Sequence, residues 1–222
     1  MAIVRGDSSS AAAATARVLL EEGIALVEVT LTTPGALDII AELTAEQRER
    51  SLRPERSGRP DRPDRPEGPM EPLGALVGAG TVLTRGDVAD VVAAGGQFAV
   101  TPCPTESVQA AVEAGLPVAA GAYTAGEAYD VWRAGASVVK LFPAGPGGGP
   151  AYLRALRDPL PQVPFMAVGG VGPDDLTAYL AAGAIGAGVG GPLAGDAPSG
   201  GDLDALRARA RAFMRVVETC RG

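Results

Sequence analysis

An α/β chain closing into a compact (β/α)8, or TIM, barrel is the fold this sequence predicts, and three observations predict it. Short β-branched runs alternate with Ala-rich helical stretches eight times along the chain. These runs are apolar on both faces, as strands of a parallel sheet covered by helices must be. The 222 residues, less one polar insertion, suffice for one such barrel and little more.

The first strand is AIV at 2–4, and SSSAAAATARVLLEEG follows it. Serine at the start of that stretch can accept a backbone N–H of the first turn, and Gly23 can close the last one. IALVEVTL at 24–31 is the second strand. The helical pattern after it runs into a segment of different character, Glu46 to Pro72, with seven Arg, seven acidic residues, six prolines and almost nothing apolar. Such a segment buries too little surface to offset its ordering entropy, so a flexible insertion in a single barrel domain is expected over about 46–72. Its charges cancel, which weakens the other reading, an Arg-rich partner arm. The remaining strands are ALVGA at 75–79, QFAVT at 97–101, PVAAG at 117–121, SVVKLF at 137–142, FMAVG at 165–169 and IGAGVG at 185–190. TRGDVADVVAAGG and GPDDLTAYLAAGA repeat the capped-helix scheme after the third and seventh. A doubly wound open sheet is the competing fold. No Gly-rich dinucleotide fingerprint supports it, since GDSSSA follows the first strand.

Composition excludes several classes of function. The chain has no histidine, so imidazole bases, relays and zinc ligands are ruled out. Cys103 and Cys220 are its two cysteines, too few for a structural zinc site, and no secretory signal precedes them, so a reduced, cytoplasmic protein is expected. No apolar run approaches the roughly 18 residues of a membrane span. A net charge of −7 opposes binding to nucleic acid or anionic lipid, which leaves small molecules as the expected partners. Eighteen of the nineteen basic residues are arginine, and Lys140 is the only lysine.

In a barrel the chemistry sits where strands run out into βα loops. Lys140, inside VVKLF, places an amine in a run that otherwise reads as buried. It is therefore either paired or shifted towards the neutral amine, a nucleophile that attacks ketones to give an imine. Glu28, inside LVEVTL, is the same anomaly with the opposite charge. If both side chains point inwards, they form either a structural salt bridge or an amine with its general acid/base. Thr81 after GAG either binds substrate or caps the next helix. Arg5 is a candidate anion clamp or a surface arginine. Gly169-Gly170 and Gly190-Gly191, ending strands seven and eight, occupy the usual phosphate cradle of a barrel, where glycines also serve tight turns.

VEVTLTTPGA, GAGTVLT, FAVTPCPTE, VVKLFPA and AVGGVGPDDLTAYLAAGA, in this order, resemble the 2-keto-3-deoxy-6-phosphogluconate (KDPG) and 4-hydroxy-2-oxoglutarate (KHG) aldolases, including the galactonate (KDPGal) branch. The resemblance spans nearly the whole chain outside the insertion. It implies a class I lyase without metal or cofactor, usually a homotrimer, that cleaves a 2-keto-4-hydroxy acid into pyruvate and an aldehyde. That aldehyde is glyceraldehyde 3-phosphate for the phosphorylated sugar acids of the Entner-Doudoroff type of route, and glyoxylate for hydroxyoxoglutarate. By the same resemblance Lys140 is the Schiff-base lysine and Glu28 the acid/base. Thr81 holds the pyruvate carboxylate, Pro102 and Phe142 flank the imine, and Arg5 with the glycine pairs serves the phosphate end.

The sequence also departs from the family's pattern. Thr32 stands where many members carry an arginine that aids the pyruvate carboxylate, and is included in the substrate-binding set. Gly191 falls where some members have serine, and the helix that commonly precedes strand one is not found. Val168 resembles the galactonate branch rather than the gluconate branch, where threonine is usual. Two other functions fit the residues without the resemblance: a phosphosugar epimerase whose Lys/Glu pair only moves protons, and a sugar-phosphate sensor in which Lys140 and Arg5 are fixed charges.

Overall fold

A computed structural model describes residues 1–52 and 74–221. Its strands are β1 (Ala2–Val4), β2 (Leu26–Thr30), β3 (Leu76–Gly80), β4 (Ala99–Val100), β5 (Val118–Ala122), β6 (Val138–Leu141), β7 (Phe165–Val168) and β8 (Gly186–Gly188). They lie side by side in chain order as one parallel sheet. A parallel bridge between Ala2 and Val189 brings the two edges together, with Ile3 N–H donating to Val189 O at 2.9 Å and Val189 N–H to Met1 O at 3.0 Å. Each strand lies within a predicted run or one residue beyond it, and the barrel is confirmed over the open sheet.

The helices are α1 (Ser9–Glu21), α2 (Ala36–Leu52), α3 (Arg85–Ala93), α4 (Glu106–Glu113), α5 (Ala125–Arg133), α6 (Gly149–Arg157), α7 (Pro173–Ala181), the single turn α8 (Gly191–Ala194) and α9 (Leu203–Arg221). Their caps are those the sequence offers. Ser8 accepts from Ala11 N–H before α1, and Gly23 follows it at φ +87°. Thr84 and Asp87 form a reciprocal capping box on α3. The parallel strands need these helical crossovers, and the helices need the sheet to bury their apolar stripes.

Alternation along the strands divides the interior in two. Side chains such as Val4, Val27, Val77, Val139, Leu141 and Phe165 point out to the helices, where Leu19, Ile40, Leu43, Leu153 and Leu206 complete a continuous core. The other face carries Glu28, Lys140 and Met166 among the glycines 78, 80, 121, 186 and 188. A barrel interior normally filled by branched side chains is thereby left room for two long ionisable ones.

One boundary differs from expectation. Helix α2 continues through Glu46, where the flexible insertion was expected to begin, to Leu52. Glu46 accepts from Arg17 Nε and Nη2 of α1 at 3.1 and 3.0 Å. Glu, Gln and Arg are strong helix formers, so a polar composition does not end a helix. Proline does, and Pro54 is the first after Pro34. The rest of the expected insertion, residues 53–72, lies outside the described residues.

Candidate active site

The ends of the strands open into a cavity of about 370 Å³ lined by Arg5, Glu28, Thr81, Pro102, Lys140, Phe142, Val168, Gly169, Gly170, Gly190 and Gly191, among others. Lys140 comes from the middle of β6, in register with Gly121 of β5 and Met166 of β7. Gly121 allows the chain after β4 to fold across β5. Any Cβ there would overlap the Pro102 carbonyl and come within 2.6 Å of the Cys103 nitrogen. The Thr101 hydroxyl locks this crossing, accepting from Gly121 N–H at 3.0 Å and donating to Cys103 O at 2.8 Å. Pro102 is held in the cavity wall as a result.

Lys140 is 6% exposed and Glu28 1%. No ion pair joins them among the described residues, so the structural salt bridge is not what places them there. Burial pushes the lysine down from its usual value of 10.5, against the opposing field of Glu28. Burial also pushes Glu28 up to about 7, against the fields of Lys140 and Arg5. One Glu28 oxygen, Oε2, is buried without a hydrogen-bond partner. The other lies over Gly80, where a Cβ would overlap the carboxylate. An amine with an enhanced neutral fraction thus faces a carboxyl poised to gain or lose a proton near neutral pH.

The remaining residues shape the two ends of the cavity. The Phe142 ring centroid is 5.0 Å from Lys140 Nζ. Thr81 stands at φ +60°, a left-handed conformation that is costly for a β-branched residue. It does not cap the next helix, since Thr84 does that. Gly169 and Gly170 are also left-handed, at φ +91° and +73°, and there glycine is the residue the backbone requires. Among the described residues, the amide N–H groups of Gly169, Gly170, Gly190 and Gly191 donate to no protein carbonyl. Four unengaged amides at the ends of β7 and β8, beside Arg5, make a site suited to an anion.

Over residues 70–208 the chain matches the aldolase family described as KDPG and KHG aldolase. It belongs to that family. It is 32% identical to the 2-dehydro-3-deoxy-6-phosphogalactonate aldolase of Escherichia coli K12 over 218 residues, covering 97% of this chain and 93% of the relative. It is 33% identical to the KHG/KDPG aldolase of the same organism, covering 88% and 81%. A native KDPGal structure superposes with a TM-score of 0.82 at 30% identity, covering 99% of this chain and 94% of the other. The KDPG aldolase of Legionella pneumophila, solved with pyruvate captured as a covalent carbinolamine, superposes with a TM-score of 0.70 at 26% identity, covering 99% and 91%. The chain is accordingly an aldolase, and so a lyase.

For a member of this family one expected site residue is misplaced. Thr32 does not line the cavity. It lies beyond the end of β2 in an exposed turn, its hydroxyl 3.0 Å from that of Thr30. Thr30 also meets the Thr33 hydroxyl at 3.1 Å, which accepts from Gly6 N–H at 3.3 Å. These threonines tie the loop after β2 to the loop after β1.

Several lining residues were not singled out from the sequence. Ile3 alternates inward on β1, so the period of the strand was its signal. Pro192 and Ala194 belong to α8 and Gly195 follows it; their signal was Pro and Gly bracketing one turn in GGPLAG.

Proposed function

We propose that this aldolase cleaves a phosphorylated 2-keto-3-deoxy sugar acid into pyruvate and glyceraldehyde 3-phosphate through an imine on Lys140. One observation carries the reading: the only lysine of the chain and a buried carboxyl with an unpaired oxygen face one cavity, whose wall also presents four unengaged glycine amides. The first pair suits a ketone, and the amides suit a phosphate. The names of the related aldolases of Escherichia coli support the substrate class.

The neutral Lys140 amine forms a bond to the C2 carbonyl carbon, and the displaced π electrons leave an alkoxide that takes the proton the nitrogen gives up, forming a neutral carbinolamine. Glu28 in its protonated form then assists loss of that hydroxyl as water, giving a protonated imine. When C3–C4 breaks, its electron pair flows into the imine to give an enamine. The C4 hydroxyl loses its proton to ionised Glu28, directly or through water, as it becomes the aldehyde carbonyl. Glu28 returns the proton to C3, and water adds to C2 to release pyruvate and regenerate the amine. Thr81 binds the pyruvate carboxylate, Pro102 and Phe142 hold the imine plane, and Arg5 with the glycine amides binds the phosphate. With Thr32 outside the cavity, carboxylate recognition rests on Thr81 and neighbouring backbone N–H groups.

Borohydride added with pyruvate is expected to trap the imine, read as a mass increase on the peptide containing Lys140. An untrapped, folded protein would overturn the mechanism in favour of an epimerase or a sensor. Lys140→Arg should abolish both trapping and turnover, because a guanidinium forms no imine under these conditions. Preference for the galactonate epimer is a second reading, favoured by Val168, which lines the cavity without a hydroxyl where the gluconate branch usually carries threonine. Cleavage of the gluconate, galactonate and hydroxyoxoglutarate substrates side by side decides it.

The family resemblance also supports a cytoplasmic homotrimer in which each chain is one barrel domain. Light scattering should then return the mass of three chains.

A further inference from the structure

We infer that Arg209 is a positioning residue for the phosphate-binding end of the cavity, acting through the single turn α8. The inference rests on the reading of the substrate as phosphorylated. A four-residue helix cannot hold its own orientation, because helix nucleation is unfavourable and no later turns repay it. Yet Gly190, just before α8, and Gly191, its first residue, contribute two of the four unengaged amides, so the direction of this turn sets their aim.

Arg209 supplies the missing constraint. From α9 its Nε donates to Leu193 O at 2.7 Å and its Nη2 to Ala194 O at 2.9 Å, so one planar guanidinium spans the last two carbonyls of the turn. Those residues are tied back to the amide-bearing glycines. Ala194 N–H donates to Gly190 O at 2.8 Å, and Gly195 N–H to Gly191 O at 2.8 Å. The chain leaves the turn at Gly195, φ +58°, where a Cβ would stand 2.6 Å from Arg209 Nη2. Arginine and glycine are thus fitted to one another.

The neighbouring arginines of α9 show that this is a distinct use. Arg207 and Arg211, one turn apart on one face, are engaged by Glu21, the last residue of α1, and Glu22 just after it. Arg209 points to another face and holds carbonyls instead. Among the described residues no other arginine donates to two carbonyls.

The test compares Arg209→Ala and Arg209→Lys with the parent on a phosphorylated sugar acid and on unphosphorylated 4-hydroxy-2-oxoglutarate, with inorganic phosphate as a competing probe. For the alanine variant, kcat/KM on the phosphorylated substrate is expected to fall about tenfold or more, chiefly through KM. The inhibition constant of phosphate should rise in parallel. Cleavage of the unphosphorylated substrate and pyruvate trapping should stay within about twofold, which a general structural defect would not allow. Lysine, a point donor unable to span both carbonyls, should show the same selective loss at about threefold, and it decides the matter if the alanine variant does not fold. An equal loss on both substrates, or an unchanged KM for the phosphorylated one, overturns the inference. A parent enzyme that is not trapped by pyruvate, or is indifferent to substrate phosphate, overturns the functional reading and this inference with it. A phosphate-selective parent whose selectivity survives both substitutions overturns the inference alone.

Discussion

A carboxyl at 1% exposure with one oxygen unpaired is tolerated far better protonated than ionised, and the pKa of Glu28, raised by burial to about 7 from 4.5, states that preference. Because the folded-state value lies above the unfolded one, its contribution to stability is full below about pH 4.5 and is lost as the pH rises through about 7. Glu28→Gln, with no proton to lose, should therefore gain stability relative to the parent between pH 5 and pH 8. Denaturant midpoints at the two values check this, and a constant difference would show that burial does not govern the group. The same variant should turn over slowly while still forming the imine. Thr81 carries the other residue-scale cost. A β-branched residue in the left-handed region is strained by roughly 1–2 kcal/mol, and glycine there forfeits about 0.5–1 kcal/mol of unfolded-state entropy. Thr81→Gly should then leave stability unchanged or raise it by up to about 1.5 kcal/mol, while KM rises with loss of the hydroxyl. A loss above about 1 kcal/mol would refute the strain account.

The strands and helices carry the site by what their neighbours leave out. Strand β3 offers LVGAG, and its glycines face β2 across the barrel wall, with Glu28 in register with Gly78 and its carboxylate lying over Gly80. Gly80→Ala is expected to push the Glu28 carboxylate aside and lower kcat by an order of magnitude or more, as misplacement of an acid/base group does. Steady-state kinetics check it, and unaltered kcat would mean that Glu28 acts from some other position. Helix elements were less legible at their ends than at their centres. The periodicity and caps of α1 and α3 were plain in the sequence, because serine, threonine and glycine act within one turn. The extent of α2 was hidden by composition, since Glu46 and its neighbours are charged whether they sit in a loop or on a helix paired to Arg17. One-turn α8 was missed because four residues are too few to show a period.

At the scale of the whole molecule, the barrel holds two populations of side chain that the sequence shows as one apolar series. The outward set is the core shared with the helices. The inward set is thinned to glycine on β3, β5 and β8, so the interior that supports the sheet is also the floor of the cavity. Gly188 marks this coupling. A Cβ there would stand 2.9 Å from both the Val168 side chain and the Met1 methyl. Gly188→Val is expected to destabilise the protein by about 1–3 kcal/mol through overpacking, and to weaken substrate binding at the same time. Chemical denaturation and KM measured on the same preparation test the link, and a change in one without the other would separate floor from fold.

Eight alternating runs, the apolar character of both strand faces and a single lysine inside one of them were local facts. They predicted the eight alternating units, the strand positions and the residues on which the proposed chemistry rests, because period, capping and residue chemistry act over a few neighbours. Closure of β8 on β1, the glycines that make room for Glu28 and Lys140, and the gathering of four amides at the end of the cavity proposed to bind phosphate were decided only by the tertiary structure. So was the exclusion of Thr32, which sequence order places at a strand end but the turn after β2 carries out of the cavity. Burial, field and aim depend on which distant segments meet, and those meetings are made by the closed sheet rather than by any one stretch of chain.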